Sequence, residues 1–285
     1  MVPPSAFKRQ AVGEVEIEYL ELGTGPLVIL LHGFPDHART WRFQMEPLAA
    51  AGFRVIAPNM RGYGNSSKPA GVSAYRASTL ALDIIGLAHA LGERRIALLV
   101  GHDWGGAVAW RAADNHPDVV DRLAILNSPP TKQFIKALRT WRQMKKSWYV
   151  FFFQLPWLPE FMLSRGAMRS IRSSLRHAVQ RKDAFTEEDW ENEKASLSTP
   201  GTLTAAINYY RAAVRSARSG HSHGPRGDVP TLVLWGDRDR FLGTELLDGL
   251  PGSTEIIHYP SAGHWVHWDE PTEVTRELIR WAKHQ

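Results

Sequence analysis

The 285-residue chain contains no cysteine. That excludes a disulfide framework, a thiol nucleophile and a zinc site built on thiolates. No run approaches the roughly 18 consecutive apolar residues that a membrane-spanning helix requires. Residues 1–10 hold Pro3 and Pro4 and no apolar segment, so no secretory signal is legible and the cytoplasm is the expected location. Acid is scarce in one region: residues 132–182 carry twelve Lys or Arg against one acid, Glu160, which leaves the remainder negative although the whole chain is at +5. Basic charge raises the question of nucleic acid, but no nucleic-acid-binding motif accompanies it and the basic residues are spaced along helix-like stretches. A solvated face is expected there, with contact to an anionic membrane surface as the alternative. With 44% hydrophobic residues the chain can bury a full core, as one large or two small domains.

What is present centres on Gly101-His102-Asp103-Trp104-Gly105-Gly106, which follows the apolar run 96–100 and opens an alanine-rich helical segment. It reads as strand, sharp turn, helix. In a G-x-S-x-G nucleophile elbow, small residues flank the nucleophile because the turn leaves no room for side chains. The residue at the nucleophile position here is Asp103. A serine hydroxyl needs a base before it can attack, whereas a carboxylate with a reference pKa of about 3.9 is already ionised at neutral pH and can attack saturated carbon directly. The plainer alternative is an aspartate capping a helix after a buried strand; glycines at 101, 105 and 106 favour the elbow.

Taken in order, 15–19 alternates as a half-buried strand and Gly23 to Pro26 turns the chain. The continuous apolar run 27–31 suits a strand buried on both faces of a parallel sheet. It ends at His32-Gly33-Phe34-Pro35, at the strand end where open α/β sheets place their ligands. Residues 54–58 repeat the strand pattern, and a Gly-rich loop follows at 59–66. A helix is expected over 78–91, with Leu80, Ile84, Leu87 and Leu91 on one stripe and Gly92 as its stop. Strand 122–126 continues the alternation, which predicts a mostly parallel, doubly wound sheet of the α/β class.

Alternation stops after Asn127-Ser128-Pro129-Pro130 and resumes at 230–235. The residues between read as helices and loops, with the aromatic run near 148–153 as the only β-rich window. An inserted helical lid at 130–228 is therefore expected between core parts 1–129 and 229–285. Its exit, 218–227, is composed like a surface linker, and His221 and His223 within it read as loop rather than as metal ligands. Strand 231–235 then leads into Gly236-Asp237-Arg238-Asp239, and strand 254–259 into Gly263-His264-Trp265. Nucleophile, acid, histidine is the α/β-hydrolase order. His264 follows a strand in a Gly-His turn and is the expected base; His32, His102 and His267 read as structural neighbours. For the acid, Asp239 is preferred over Asp237 because one step further from the strand end aims the side chain across the loop.

Together, His-Gly-Phe-Pro at 32–35, Arg-Gly-Tyr-Gly-Asn-Ser at 61–66, Gly-His-Asp-Trp-Gly-Gly at 101–106, Trp-Gly-Asp-Arg-Asp at 235–239 and Gly-His-Trp at 263–265 resemble the soluble epoxide hydrolases of the α/β-hydrolase superfamily. The resemblance spans nearly the whole chain. Within the inserted segment, Trp148-Tyr149 with the Phe-Phe-Gln ending and Asn208-Tyr209-Tyr210-Arg211 resemble the segments carrying the family's lid tyrosines, which places those roles on Tyr149 and Tyr210. The resemblance implies that Asp103 attacks an epoxide carbon, that the two phenols donate to the opening oxygen, that His264 oriented by Asp239 activates water against the ester, and that the backbone N–H groups of Phe34 and Trp104 form the oxyanion hole. Phe34, Trp104, Tyr149 and Tyr210 would also bind the substrate. Phe151 to Phe153, Trp157 and Phe161 are expected as lid core and tunnel wall, hence an apolar epoxide, with water, as substrate. No metal, cofactor or nucleic acid is implied, and the expected state is monomer or homodimer. Asn59 departs from the family, which often has Asp before Met-Arg-Gly.

The nearest rival is a haloalkane dehalogenase, which shares the Asp nucleophile and following Trp but would call for Asn where this chain has Phe34. A haloacetate-type dehalogenase shares His-Gly-Phe-Pro but usually carries arginines where Trp104 and Ala107 stand. A non-catalytic binding module of this fold would have lost triad members, and all three are present.

Overall fold

The computed structural model describes residues 7–218, 229–251 and 253–284. The chain start at 1–6 and most of the linker-like stretch, including His221 and His223, lie outside the described residues.

Strands β1 (Phe7–Val12) and β2 (Val15–Leu22) form an antiparallel hairpin. Strands β3 (Leu27–Leu31), β4 (Arg54–Pro58), β5 (Leu98–His102), β6 (Leu123–Leu126), β7 (Thr231–Gly236) and β8 (Thr254–Tyr259) complete one eight-stranded sheet in the order β1-β2-β4-β3-β5-β6-β7-β8. Only the β1–β2 and β2–β4 pairs are antiparallel. The apolar run 27–31 is buried on both sides: Leu27, Ile29 and Leu31 enter one core cluster, and Val28 and Leu30 the other. This is why it shows no alternation.

Helices α1 (Arg42–Ala50), α2 (Ala77–Ala90) and α3 (Trp104–Asn115) cover the sheet. In α2, Leu80, Ile84 and Leu87 are buried as one stripe, while Leu91 lies just beyond the helix, partly buried. Between β6 and β7 stand α4 (Thr131–Ala137), α5 (Trp141–Lys146), α6 (Trp148–Phe152), α7 (Leu158–Ser164), α8 (Arg169–Ala178), α9 (Glu187–Ser198) and α10 (Thr202–Arg218). Helices α11 (Val266–Asp269) and α12 (Pro271–Lys283) close the chain. No helix of the described residues is long and apolar enough to cross a membrane.

The structure revises three local expectations. β5 begins two residues later than 96–100, because Ile96 makes only an isolated bridge to Val120, and it continues through Gly101 and His102, which pair with Leu31, Ile125 and Leu126. The aromatic run is the helix α6, not a strand. Its helical period sends Tyr149, Val150 and Phe153 inward and leaves Phe151 half exposed. Trp157 and Phe161, expected in the lid core and tunnel wall, stand at the surface, 70% and 48% exposed. An aromatic run announces apolar bulk but not which helical face will carry it.

Asn59 is fully accommodated. Its carbonyl accepts the Ala38 N–H at 2.8 Å and its amide donates to the Glu18 carboxylate at 2.5 Å, where an aspartate would have met a like charge.

Candidate active site

Five strand ends converge on one point, the C-terminal edge of β3, β5, β6, β7 and β8, where an open α/β sheet holds its ligands. Asp103 stands between β5 and α3 with φ at +49°, a conformation costly for any residue but glycine. The flanking glycines make this turn possible by close approach: a Cβ on Gly101 would lie 2.4 Å from the Gly105 carbonyl oxygen, and one on Gly105 2.2 Å from that of Leu31. The carboxylate is only 17% exposed. Its Oδ1 accepts the Phe34 backbone N–H at 2.9 Å, and its Oδ2 lies 3.5 Å from His264 Nε2. Trp104 opens α3, so its backbone N–H is among the helix donors that lack an intrahelical acceptor.

Across the site, His264 Nδ1 donates to Asp239 Oδ2 at 2.7 Å. Asp239 is saturated with donors: Asn127 Nδ2 also donates to Oδ2 at 2.8 Å, and the backbone N–H groups of Phe241 and Leu242 donate to Oδ1. The competing acid, Asp237, lies outside this group against His258, at 2.7 Å. Burial opposes a charge on His264, but the Asp239 carboxylate, assisted by Asp103, overrides it and raises its pKa to about 10. Burial likewise opposes ionisation of Asp103, yet His264 and the Phe34 N–H hold its pKa below the usual value. The resting site is therefore an imidazolium between two carboxylates.

Of the neighbouring histidines, His32 and His102 are tied to backbone and His267 to a side chain. His32 Nε2 accepts the Met60 N–H at 3.0 Å while Nδ1 donates to Gly33 O. His102 Nε2 donates to the His264 carbonyl at 2.9 Å, fixing that residue from behind. His267 Nε2 meets the Thr40 hydroxyl at 3.0 Å. Among the described residues, Asp36, His102 and His267 form the one buried group whose spacing could hold a metal ion. Asp36 Oδ1, His102 Nδ1 and His267 Nδ1 lack hydrogen-bond partners. The His264 imidazolium, 4.7 Å from His102 ring to ring, opposes a second cation there.

The inserted helices bring Tyr149 and Tyr210 over Asp103. Their rings lie 5.8 Å apart, and Tyr210 packs edge-on at 4.9 Å against Trp104 and at 5.7 Å against Phe34. Burial, with Asp103 next, raises both phenols well above their ordinary pKa, so each keeps its proton. The adjacent Tyr209 does something else: it is fully buried and donates to the Arg61 carbonyl at 2.7 Å. Phe153 and Val150 complete an apolar wall.

Sequence reasoning missed three residues that hold the Asp239 loop. Asn127 bonds both Gly236 and Asp239, Lys146 Nζ donates to the Asp239 carbonyl at 2.9 Å, and Gln143 donates to Phe241 O. Asn127 left one signal: an asparagine at a strand's C-terminal end, and it adopts φ of +40°.

Residues 26–271 match the family described as alpha/beta hydrolase fold. Epoxide hydrolase 3 of Xenopus tropicalis is 37% identical over 268 residues, 90% of this chain and 70% of that protein. The chain belongs to the epoxide hydrolases. A further epoxide hydrolase relative, the crystal structure of the Bacillus megaterium epoxide hydrolase with an inhibitor, superposes at a TM-score of 0.88, with 26% identity over 97% of this chain and 100% of that one. The AB hydrolase superfamily protein YfhM of Bacillus subtilis (strain 168) is 36% identical over 92% of this chain and 91% of its own length.

Proposed function

We propose that this epoxide hydrolase converts an apolar epoxide and water to a vicinal diol through an alkyl ester on Asp103. The observation that carries the reading is a carboxylate at an elbow, faced by two protonated phenols on one side and a His–Asp pair on the other. Asp103 Oδ2 attacks an epoxide carbon and breaks its C–O bond, while Tyr149 and Tyr210 donate to the oxygen as charge develops on it. Esterification removes the negative charge from Asp103. His264 then loses one of its two carboxylate partners, its pKa falls, and it gives its extra proton to the alkoxide left by ring opening; the neutral imidazole can then take a proton from water. That water attacks the Asp103 carbonyl carbon. The oxyanion forms at Oδ1, where the Phe34 N–H already points and the Trp104 N–H completes the pair. Its collapse breaks the Cγ–Oδ2 bond, Oδ2 leaves in the diol with the proton held by His264, and the new carboxyl gives its proton back to the imidazole.

On this reading residues 130–228 act as the lid over the core at 1–129 and 229–285, and the aromatic wall of Phe34, Trp104, Phe153 and Tyr210 selects an apolar substrate. A cytoplasmic location belongs to the same reading, resting on the cysteine-free composition. A dehalogenase would need the Trp104 indole for a departing halide and no phenol donors, whereas here two protonated phenols face Asp103 and the Trp104 ring packs edge-on against Tyr210 at 4.9 Å. The test is turnover of aryl and aliphatic epoxides beside haloalkanes and carboxylic esters: epoxides alone should be consumed, and turnover of bromoalkanes without epoxides would reject the proposal.

A further inference from the structure

Among the described residues, seven of the eight large apolar side chains that stand exposed fall within residues 141–162, Trp148, Phe151, Trp157 and Phe161 among them. Scattered exposed apolar groups are ordinary; a run of them, mostly aromatic, marks an interaction surface. Trp157 is the most telling. It is 70% exposed and adopts φ of +51°, a conformation that glycine or asparagine accepts more easily than a bulky side chain. Neither packing nor backbone geometry accounts for a tryptophan there.

Positive charge accompanies the rings. Lys145 Nζ sits 5.1 Å from the centre of the Trp141 ring, and the Arg165 guanidinium 4.5 Å from that of Phe161. Arg169 is also exposed, and so is Arg142, which meets Glu245 at 3.7 Å. Glu160, the one acid of residues 132–182, is paired with Arg211 at 2.6 Å and so does not offset them. Aromatic rings interleaved with Lys and Arg are the composition of a surface that lies in a lipid interface. The inner side of the same short helix, α6, carries Tyr149 and Val150 into the site.

We propose that residues 141–169 seat on an anionic phospholipid bilayer, with the rings in the interface and the basic groups against the headgroups. Resting on the epoxide reading, this would let an apolar substrate pass from lipid to the site without crossing bulk water. A second copy of the chain is the less suitable occupant, because a two-fold contact through this surface would set like charges against each other.

The test is co-sedimentation of the full chain with phosphatidylcholine vesicles, with and without phosphatidylglycerol. We expect binding about tenfold tighter to the anionic vesicles, weakening with salt. Trp141→Ser with Trp157→Asn, and separately Lys145→Glu with Arg165→Glu, should each reduce it about tenfold while leaving vesicle-free turnover of a water-soluble epoxide and the melting temperature unchanged. Asparagine is chosen at 157 because it tolerates the positive φ. Equal binding to neutral vesicles, no binding, or binding unmoved by both pairs would overturn the proposal. So would a solution dimer that the same substitutions convert to monomer, which would make this face an interface between copies. Because binding is read without turnover, its failure leaves the epoxide reading standing.

Discussion

The sheet edge and the inserted helices hold their functional side chains in opposite ways. At the sheet edge Asp239 accepts four hydrogen bonds, Asp103 receives the Phe34 N–H, and His264 is gripped by Asp239 in front while His102 holds its carbonyl behind. Over it, Tyr149 and Tyr210 are held mainly by ring contacts with Trp104, Phe34, Phe153 and Phe241. Hydrogen bonds fix distance and direction, whereas edge-on ring packing permits small shifts. Ester formation and hydrolysis need fixed geometry, and a range of apolar substrates needs room. On this account the nucleophile and the water-activating pair reside in the sheet edge, and the helices add the two phenol donors for ring opening and the choice of substrate.

The sharpest way to break that division is to remove the nucleophile. Asp103→Ala should lower epoxide turnover by about four orders of magnitude or more, measured on protein whose circular dichroism is native. A folded variant that retains substantial turnover would place the chemistry elsewhere. Next comes the acid. Asp239→Asn should cost about a thousandfold in kcat, while Asp237→Asn, whose side chain meets exposed His258 outside the site, should stay within about twofold. Equal losses would mean that the hydrogen bonds around Asp239 are structural.

How much of this was legible varies with the range of the interactions. The elbow could be read because glycines at 101, 105 and 106 answer a local crowding problem. The doubly buried strand at 27–31 could be read because burial on both faces erases alternation. β1 was not read: its Phe-Lys-Arg-Gln-Ala-Val pairs at the sheet margin, where polar residues are tolerated. Asn127, Gln143 and Lys146 were not read because their partners lie about a hundred positions away. The outward turn of Phe151, Trp157 and Phe161 depends on helix phase and on neighbours that composition does not specify.

The helices yield smaller effects. Tyr149→Phe and Tyr210→Phe should each lower epoxide turnover about tenfold or more, and the double variant should nearly abolish alkylation of Asp103. Losses confined to KM would make the tyrosines binding groups only. Lys146 bridges the two regions, so Lys146→Met should cost about fivefold in kcat through a loosened Asp239 loop. An unchanged kcat would show that Asn127 and the backbone donors suffice.

The covalent ester is tested most directly by intact mass. His264→Gln removes the base for hydrolysis but leaves Asp103, its Phe34 donor and both phenols in place. Mixed with excess styrene oxide, it should gain the mass of one substrate, and the modified peptide should contain Asp103. A folded His264→Gln protein that stays at its own mass, or that carries the adduct on another residue, would contradict the mechanism.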